Sequence, residues 1–126
     1  MESKKYKITE AELEIMKVLW EKESLTLNQI VKTLSQEESK NKSTIKTLLY
    51  RLVEKGSVSS IEKAGRENEF CANITQEEYL KKENESFLKR LYHGSTNQLL
   101  LNFVEEKKIT KKDLQDLMDM IESEEE

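Results

Sequence analysis

Hydroxyl and cationic side chains are concentrated on one side of residues 42–56, KSTIKTLLYRLVEKG. The central members of this set are Thr44, Lys46, Thr47 and Arg51. A Lys or Arg side chain can donate hydrogen bonds to guanine O6 and N7, and a hydroxyl can donate to a phosphate or contact a thymine methyl group. The set is therefore typical of a surface that recognises nucleic acid, with an ordinary solvated surface as the simpler alternative.

The apolar residues of the same segment predict the element that presents those side chains. They recur at i, i+3, i+4, i+7 and i+8, the spacing of one helical face: Ile45, Leu48, Leu49, Leu52 and Val53. We predict a helix with Ser43 as its N-terminal cap and Gly56 where it ends. The apolar face would hold the helix to its domain. The opposite side would then offer these residues to DNA: Lys42, Ser43, Thr44, Lys46, Thr47, Tyr50 and Arg51.

Two further helices are predicted before this one. Residues 9–22 begin with Thr9 and place Glu12 three residues later, which is the spacing of a capping box. The apolar stripe of that helix contains Ala11, Ile15, Val18 and Leu19. Residues 26–35 predict a shorter helix capped by its first residue, a Thr. Residues 36–42 are polar and predict a turn between the second and third helices.

After Gly56 the apolar spacing changes to one that predicts a β-hairpin. The apolar positions of the two predicted strands are Val58, Ile61, Phe70, Ala72 and Ile74. Gly65 lies in the turn between them, with Lys63 and Arg66 beside it. Three helices followed by a hairpin form the winged-helix pattern, in which the third helix enters the major groove and the hairpin, or wing, lies along the backbone. We therefore predict that Lys63 and Arg66 contact phosphate, with ordinary turn charges as the alternative.

The pattern of the C-terminal residues predicts three more helices. It predicts no strands, so these helices have no sheet to pack against. They run from the capping box of Thr75 and Glu78 to Gly94, over residues 95–106, and from Thr110 onward. A segment of this size rarely folds alone, so we predict that it forms a symmetric homodimer. The predicted interface residues are Phe87, Leu91, Leu99, Leu100, Leu101, Phe103, Leu114, Leu117, Met118 and Ile121.

The predicted fold is mainly α with a small β-hairpin wing. Residues 1–74 would form a winged-helix DNA-binding domain and residues 75–126 a helical dimerisation domain. The net charge of −4 is unevenly distributed, because residues 1–73 carry 13 Lys and Arg against 12 Asp and Glu, and residues 74–126 carry 8 against 13. Within residues 40–66 seven cations accompany two anions. The acidic total is therefore compatible with one basic face.

The sequence contains few histidine and cysteine residues that could act as catalytic groups. His93 is the only histidine and Cys71 the only cysteine, and no local motif pairs them as nucleophile and base. We interpret His93 as a helix-end residue and Cys71 as a small packing residue. Hydrolase and metalloprotease motifs are absent from the sequence, so we expect no catalytic residues, metal site, cofactor or small-molecule substrate. No stretch has the length of a membrane span or a secretion signal, which predicts a soluble cytoplasmic protein.

Four blocks of the chain resemble, in the same order, the penicillinase and methicillin-resistance repressors of the BlaI/MecI type. They are ITEAELEIMKVLWEK, KSTIKTLLYRLVEKG, SFLKRLYHGSTNQLLLNFVEE and ITKKDLQDL. The resemblance implies a dimeric winged-helix repressor that binds palindromic double-stranded operators upstream of β-lactam-resistance genes. A sister branch of copper-responsive repressors ends in a CxCxxxxCxC site, and the acidic end of this chain has no cysteine.

The same resemblance implies how such a repressor is switched off. In the family, a membrane sensor-transducer with a zinc protease domain initiates cleavage of the repressor at an Asn–Phe bond in the C-terminal domain. The matching bond in this sequence is Asn102–Phe103. Two other hypotheses stay open at this point: a winged-helix repressor of an unrelated operon, and a helical protein–protein adaptor that does not bind DNA.

Overall fold

The computed structural model of the chain describes residues 4–37 and 41–125. The centre of the polar turn predicted over residues 36–42 thus lies outside the described residues. A short 3₁₀ turn, Lys4–Tyr6, opens the described chain. The strands are β1 (Leu25–Thr26), β2 (Val58–Ile61) and β3 (Glu69–Ala72). The helices are α1 (Glu10–Glu21), α2 (Leu27–Glu37), α3 (Lys42–Lys55), α4 (Gln76–Tyr92), α5 (Thr96–Glu105) and α6 (Lys111–Glu125).

The chain divides into two compact units, residues 1–82 and residues 83–126. We call them the N-terminal unit and the C-terminal unit and describe each by itself. The division falls inside α4, so the first two turns of that helix belong to the N-terminal unit.

Local capping explains where the first two helices begin. The capping box of α1 is confirmed, since Thr9 Oγ1 accepts from the Glu12 backbone N–H at 3.1 Å and Glu12 Oε1 accepts from the Thr9 N–H at 3.0 Å. Thr26 and Gln29 exchange a similar pair of hydrogen bonds at the start of α2, at 3.2 and 2.9 Å. Each pair satisfies N–H groups that the first turn of a helix leaves without a partner.

Helix α3 begins slightly earlier than the sequence predicts. Its N-terminal cap is Asn41, whose backbone is extended and whose Oδ1 accepts from the Thr44 N–H at 2.9 Å. The prediction that Ser43 caps this helix is wrong, because Ser43 already lies in the first helical turn, where a capping residue cannot lie. The predicted end is confirmed. Gly56 adopts a φ of +88°, a left-handed conformation that glycine tolerates without a side-chain clash.

A three-stranded antiparallel sheet, in the order β1–β3–β2, completes the N-terminal unit. The predicted hairpin is confirmed as β2 and β3, with Val58 opposite Ala72 and Ile61 opposite Glu69. The pairing of β1 with β3 places Leu25 opposite Phe70 and was not predicted. A strand of two residues is too short to show alternation in the sequence. The three helices and the hairpin have the predicted winged-helix arrangement.

The core of the N-terminal unit lies between α1, α2, α3 and one face of the sheet. Its fully buried side chains include Ile15, Met16, Ile30, Leu34, Ile45, Leu49, Leu52, Val58, Phe70 and Ile74. The start of α4 closes this core, since the Tyr79 ring lies 5.6 Å from the Trp20 ring and is buried. Trp20 Nε1 also donates to the Ile74 carbonyl oxygen at 2.9 Å. Tyr6 Oη donates to Glu78 Oε2 at 3.0 Å.

These contacts predict that the start of α4 stabilises the N-terminal unit. A fragment of residues 1–82 should be more stable to urea than one of residues 1–74 by about 1.5–3 kcal/mol, the burial of one large side chain. The longer fragment keeps Tyr79 against Trp20, whose fluorescence reports unfolding. Equal unfolding free energies for the two fragments would instead favour a domain that ends at residue 74.

The C-terminal unit exposes much of its apolar surface. None of the described side chains of residues 83–124 is buried. Among its large apolar residues, the exposed ones include Leu91, Leu100, Leu101, Val104, Leu114, Leu117, Met118, Met120 and Ile121.

Helix α6 begins with the capping box of Thr110 and Asp113. The backbone and side-chain donors of Thr110 lower the pKa of the Asp113 carboxyl below its ordinary value.

Candidate nucleic-acid interface

The structure separates the two faces of α3. Its inward side chains Ile45, Leu49 and Leu52 are completely buried in the core. The seven side chains of α3 that the sequence predicts to contact DNA are all exposed: Lys42, Ser43, Thr44, Lys46, Thr47, Tyr50 and Arg51. The predicted geometry of a helix anchored on one side and open on the other is therefore present, and contact with DNA itself stays a prediction.

The cations of this face are available to a partner. Among the described residues, neither Lys46 nor Arg51 takes part in an ion pair. Thr47 Oγ1 donates to the Ser43 carbonyl oxygen at 3.0 Å, which fixes the Thr47 side chain and leaves its oxygen able to accept another hydrogen bond. The guanidinium and ammonium groups can therefore bind anions without first breaking a contact.

A shallow open depression runs along this face of α3 and has a volume of about 560 Å³. It is lined by Lys46, Thr47, Tyr50, Arg51, Val53 and Glu54. A site for a small organic ligand is usually an enclosed cleft. This depression is open to solvent and is lined by Lys46 and Arg51, which suits an extended polyanion better.

Tyr50 has a structural role that the sequence does not reveal. Its ring stands edge-on to Phe70, with the ring centroids 5.9 Å apart and an interplanar angle of 90°. Phe70 is buried in β3, and 46% of Tyr50 remains exposed. Tyr50 therefore packs α3 against the wing strand and still presents its other side to the candidate interface. Only the tertiary structure brings the two rings together, so spacing along the chain carries no signal for this contact.

Two carboxylates of the wing, Glu67 and Glu69, make contacts that the sequence does not reveal. Lys63 Nζ lies 3.8 Å from Glu69 Oε2, and Glu69 Oε1 accepts from Ser24 Oγ at 2.6 Å. Glu67 Oε1 accepts from Asn28 Nδ2 at the start of α2. The Ser24 hydrogen bond, with the nearby cations, lowers the pKa of Glu69 below its ordinary value. These contacts attach the wing to the segment that leads into α2, so its orientation is set before any ligand binds.

The two predicted wing cations are therefore not equivalent. Lys63 is partly engaged by Glu69, whereas Arg66 is exposed at the tip beside Gly65, whose φ is +70°. An ion pair reduces the net charge that Lys63 offers to a phosphate. We expect Arg66 to contribute more than Lys63 to any contact with a nucleic acid backbone.

An ion pair between a buried carboxylate and a half-buried lysine holds the far end of α3 in place. Glu12 in α1 is 1% exposed, and its Oε1 lies 2.5 Å from Lys55 Nζ. Lys55 Nζ also donates to the Lys7 carbonyl oxygen at 2.8 Å. Burial acts to raise the pKa of Glu12, but the hydrogen bonds from Lys55 and Thr9 and the Lys55 charge outweigh it and leave the pKa below its ordinary value. The sequence indicated Glu12 only as a capping residue.

The bond predicted to be cleaved lies within α5. The Asn102 carbonyl oxygen accepts from the Glu106 N–H at 3.0 Å, and Asn102 Nδ2 donates to Tyr92 Oη at 3.1 Å. Asn102 and Phe103 are both half-buried. A protease that binds an extended substrate would therefore require α5 to unwind locally.

Every residue predicted to lie in the dimer interface is at least partly exposed in the single chain. Phe87, Leu99 and Phe103 are half-buried within the C-terminal unit, and the other predicted interface residues are exposed: Leu91, Leu100, Leu101, Leu114, Leu117, Met118 and Ile121. The structure contains one copy of the chain, so their role in a dimer stays a prediction.

The described part of the chain offers no cluster of metal ligands and no membrane-spanning helix. Within residues 4–35 and 41–124, no group of three or more His, Cys, Asp or Glu side chains is arranged to hold a metal ion. Every helix that the structure describes is too short or too polar to cross a lipid bilayer.

Comparison with known sequences identifies the relatives of this chain. The family model described as penicillinase repressor matches residues 8–123. The penicillinase repressor of Bacillus licheniformis is 36% identical over 115 residues, which cover 91% of this chain and 89% of that protein. The methicillin resistance regulatory protein MecI of Staphylococcus aureus (strain N315) is 27% identical over 121 residues, 96% of this chain and 98% of that protein.

Comparison with solved structures agrees with this relationship. The solution structure of the DNA-binding domain of the repressor BlaI has a TM-score of 0.50 and 39% sequence identity, and covers 55% of this chain and 83% of that one. The Bacillus licheniformis BlaI monomeric form, solved in complex with the blaP half-operator, has the same TM-score and identity and covers 57% and 87%. The fold of the N-terminal unit is thus that of a winged-helix DNA-binding domain, and the chain belongs to the penicillinase repressor family.

Proposed function

We propose that the chain is a dimeric transcriptional repressor that binds a palindromic operator through α3 of each copy. The observation that carries this proposal is the exposed face of α3, on which Lys46 and Arg51 form no ion pair within the described residues. Related proteins named penicillinase repressor and MecI, and a relative solved on a half-operator, support the proposal. A DNA-bound repressor works in the cytoplasm of a bacterium, where we place the chain.

The chemistry of each side chain indicates whether it would contact bases or phosphates. Lys46 and Arg51 would donate to base edges, with Arg suited to bidentate contact with guanine. The hydroxyls of Ser43 and Thr44 would donate to phosphates. The Thr47 hydroxyl already donates to the Ser43 carbonyl oxygen, so Thr47 would instead accept from a base or place its methyl group against a thymine methyl. Phosphate contacts from Lys42 at the start of the helix and from the wing cations would then set the position of α3 in the groove.

The exposed apolar residues of the C-terminal unit support a dimer. A monomeric protein seldom leaves so many large apolar side chains open to water, and a second copy of the chain would cover them. A two-fold symmetric dimer would present two α3 helices to half-sites about one helical turn apart. Linking two binding modules in this way raises affinity by about 10²–10⁴-fold through effective concentration.

We further propose that proteolysis at Asn102–Phe103 inactivates the repressor and that a membrane sensor-transducer initiates it. The cut would separate α6 from the rest of the chain and remove its apolar face: Leu114, Leu117, Met118 and Ile121. At about 25 cal/mol per Å² of apolar surface, the loss of this contact would weaken the dimer substantially. The names of the relatives point to β-lactam-resistance genes as the proposed targets.

Substitution of the α3 cations tests the proposed reading helix. Arg51→Ala or Lys46→Ala should weaken binding to the operator by about 1–3 kcal/mol if a base contact is lost. Fluorescence anisotropy with a labelled duplex, at fixed salt, measures the affinity. Arg90→Ala is the matched control, because Arg90 is an exposed α4 arginine of the C-terminal unit. Unchanged affinity in both α3 variants would mean that another surface binds the operator.

A further inference from the structure

A second depression adjoins the first at the C-terminal end of α3, and it has a volume of about 540 Å³. It is lined by Lys4, Lys7, Arg51, Glu54 and Lys55. Arg51 and Glu54 line both depressions. The candidate interface on α3 therefore adjoins, at Arg51 and Glu54, a depression that the N-terminal segment helps to form.

The backbone of the N-terminal segment is fixed to the end of α3 by hydrogen bonds. Lys55 Nζ donates to the Lys7 carbonyl oxygen at 2.8 Å, and Ser57 Oγ donates to the Lys5 carbonyl oxygen at 2.7 Å. Ser57 is completely buried, so this second bond is shielded from water. The side chains of Lys4 and Lys7 remain exposed. The segment thus presents two cations from a backbone that the domain holds in place.

The balance of charge in this depression favours an anion. Lys55 is largely neutralised by its ion pair with Glu12. Among the described residues, Lys4, Lys7 and Arg51 form no ion pair, and Glu54 is the one acidic residue of the lining. The lining therefore keeps a net positive charge without counting Lys55.

The length of α3 indicates which part of a duplex this depression would reach. A helix of 14 residues is about 21 Å long, whereas the major groove is about 12 Å wide. If residues 42–51 face the bases, they span about 15 Å of helix, so the last turn of α3 extends past the edge of the groove to the sugar-phosphate backbone. The Lys4 and Lys7 side chains lie beside that last turn.

We infer that Lys4 and Lys7 bind the phosphodiester backbone of the operator next to the groove that α3 enters. This inference rests on the proposed function and extends its interface beyond α3 and the wing. The contact would add affinity for any duplex without reading sequence, because phosphates carry no base information. The N-terminal segment would then act as a third point of attachment to DNA.

Paired substitutions in the full-length chain test the inference. The double variant K4A/K7A should bind a labelled operator about tenfold or more weakly at about 0.1 M salt, and its plot of log affinity against log salt should be shallower by about 2. A scrambled duplex should lose affinity by the same factor. Neither substitution removes a backbone acceptor, so the thermal unfolding midpoint should stay at the wild-type value.

A control variant that loses the same number of positive charges elsewhere separates a local phosphate contact from the effect of net charge on DNA binding. K17A/K22A removes two exposed lysines from α1 and the residue after it, and should change affinity by less than about twofold. E54Q should act in the opposite direction and tighten binding to both duplexes, since it removes the acidic group of the depression.

The outcomes distinguish this inference from the proposed function. A wild-type chain that binds no duplex would overturn the proposed function and the inference with it. Operator binding that depends on Arg51, together with equal affinities for K4A/K7A and K17A/K22A, would overturn the inference alone. A K4A/K7A variant that loses affinity only for the operator, and not for the scrambled duplex, would also contradict a backbone contact.

Discussion

Leu117→Glu is expected to convert the protein from a dimer to a monomer and to lower operator affinity by about 10²–10⁴-fold. Leu117 lies on the apolar face of α6 and is 44% exposed in the single chain. In a symmetric dimer the substitution would place two carboxylates in an apolar interface. Burying these charges costs free energy, and the chains avoid that cost by dissociating. Sedimentation velocity measures the association state, and anisotropy measures the affinity for the operator.

Two further variants make this result specific. Ser123→Glu adds the same charge to α6 on the side away from its apolar face by helical spacing, and should leave the dimer intact. A chain truncated after Asn102 should behave as Leu117→Glu does, because it lacks α6 altogether. If the truncated chain stayed dimeric and bound its operator normally, neither the dimer interface nor the proposed proteolytic switch would hold.

Glu12→Ala is expected to lower the free energy of unfolding by about 2–4 kcal/mol. The substitution leaves Lys55 without its buried partner and removes half of the α1 capping box. Chemical denaturation followed by Trp20 fluorescence measures the change. Glu14→Ala is the matched control on the same helix, where loss of the exposed Lys17 pair should cost less than about 0.5 kcal/mol.

The contribution of Glu12 to the free energy of unfolding should also fall as the pH falls. Its pKa in the folded chain lies below the ordinary value of 4.5, so the unfolded chain takes up the proton first as the pH falls. The stability that Glu12 provides is therefore fully present above about pH 5 and is lost as the pH falls through the folded-state pKa. The difference between wild type and Glu12→Gln should shrink over that acidic range. A difference that stayed constant down to pH 3 would contradict a charged Glu12 in the folded chain.

The elements with strong local signals are those that the sequence predicts well. The capping box of Thr9 and Glu12, the apolar spacing of α3 and the left-handed Gly56 all act within a few residues, and each is present in the structure. The cap of α3 was misplaced because Asn41 and Ser43 are both good capping residues in one polar stretch. Strand β1 was missed because it exists only through its pairing with β3.

The parts of the candidate site that escaped prediction depend on contacts between distant segments. Glu12 and Lys55 are 43 residues apart, and the wing contacts of Glu67 and Glu69 join residues 39 and 45 positions apart. No periodicity links such pairs. The same is true of Lys4 and Lys7, which count as isolated charges until the fold places them beside Arg51. The polar face of α3, by contrast, follows from helical spacing alone.

The central claim is that two copies of the chain read a symmetric duplex through α3. Selection of bound duplexes from a random library by the full-length protein, followed by sequencing, tests it most directly. We expect the enriched duplexes to share an inverted repeat with half-site centres about 10 base pairs apart, or a multiple of one helical turn. The Arg51→Ala protein should fail to enrich that repeat. Recovery of no common sequence, or of a single unrepeated site that Arg51→Ala enriches equally well, would contradict the claim.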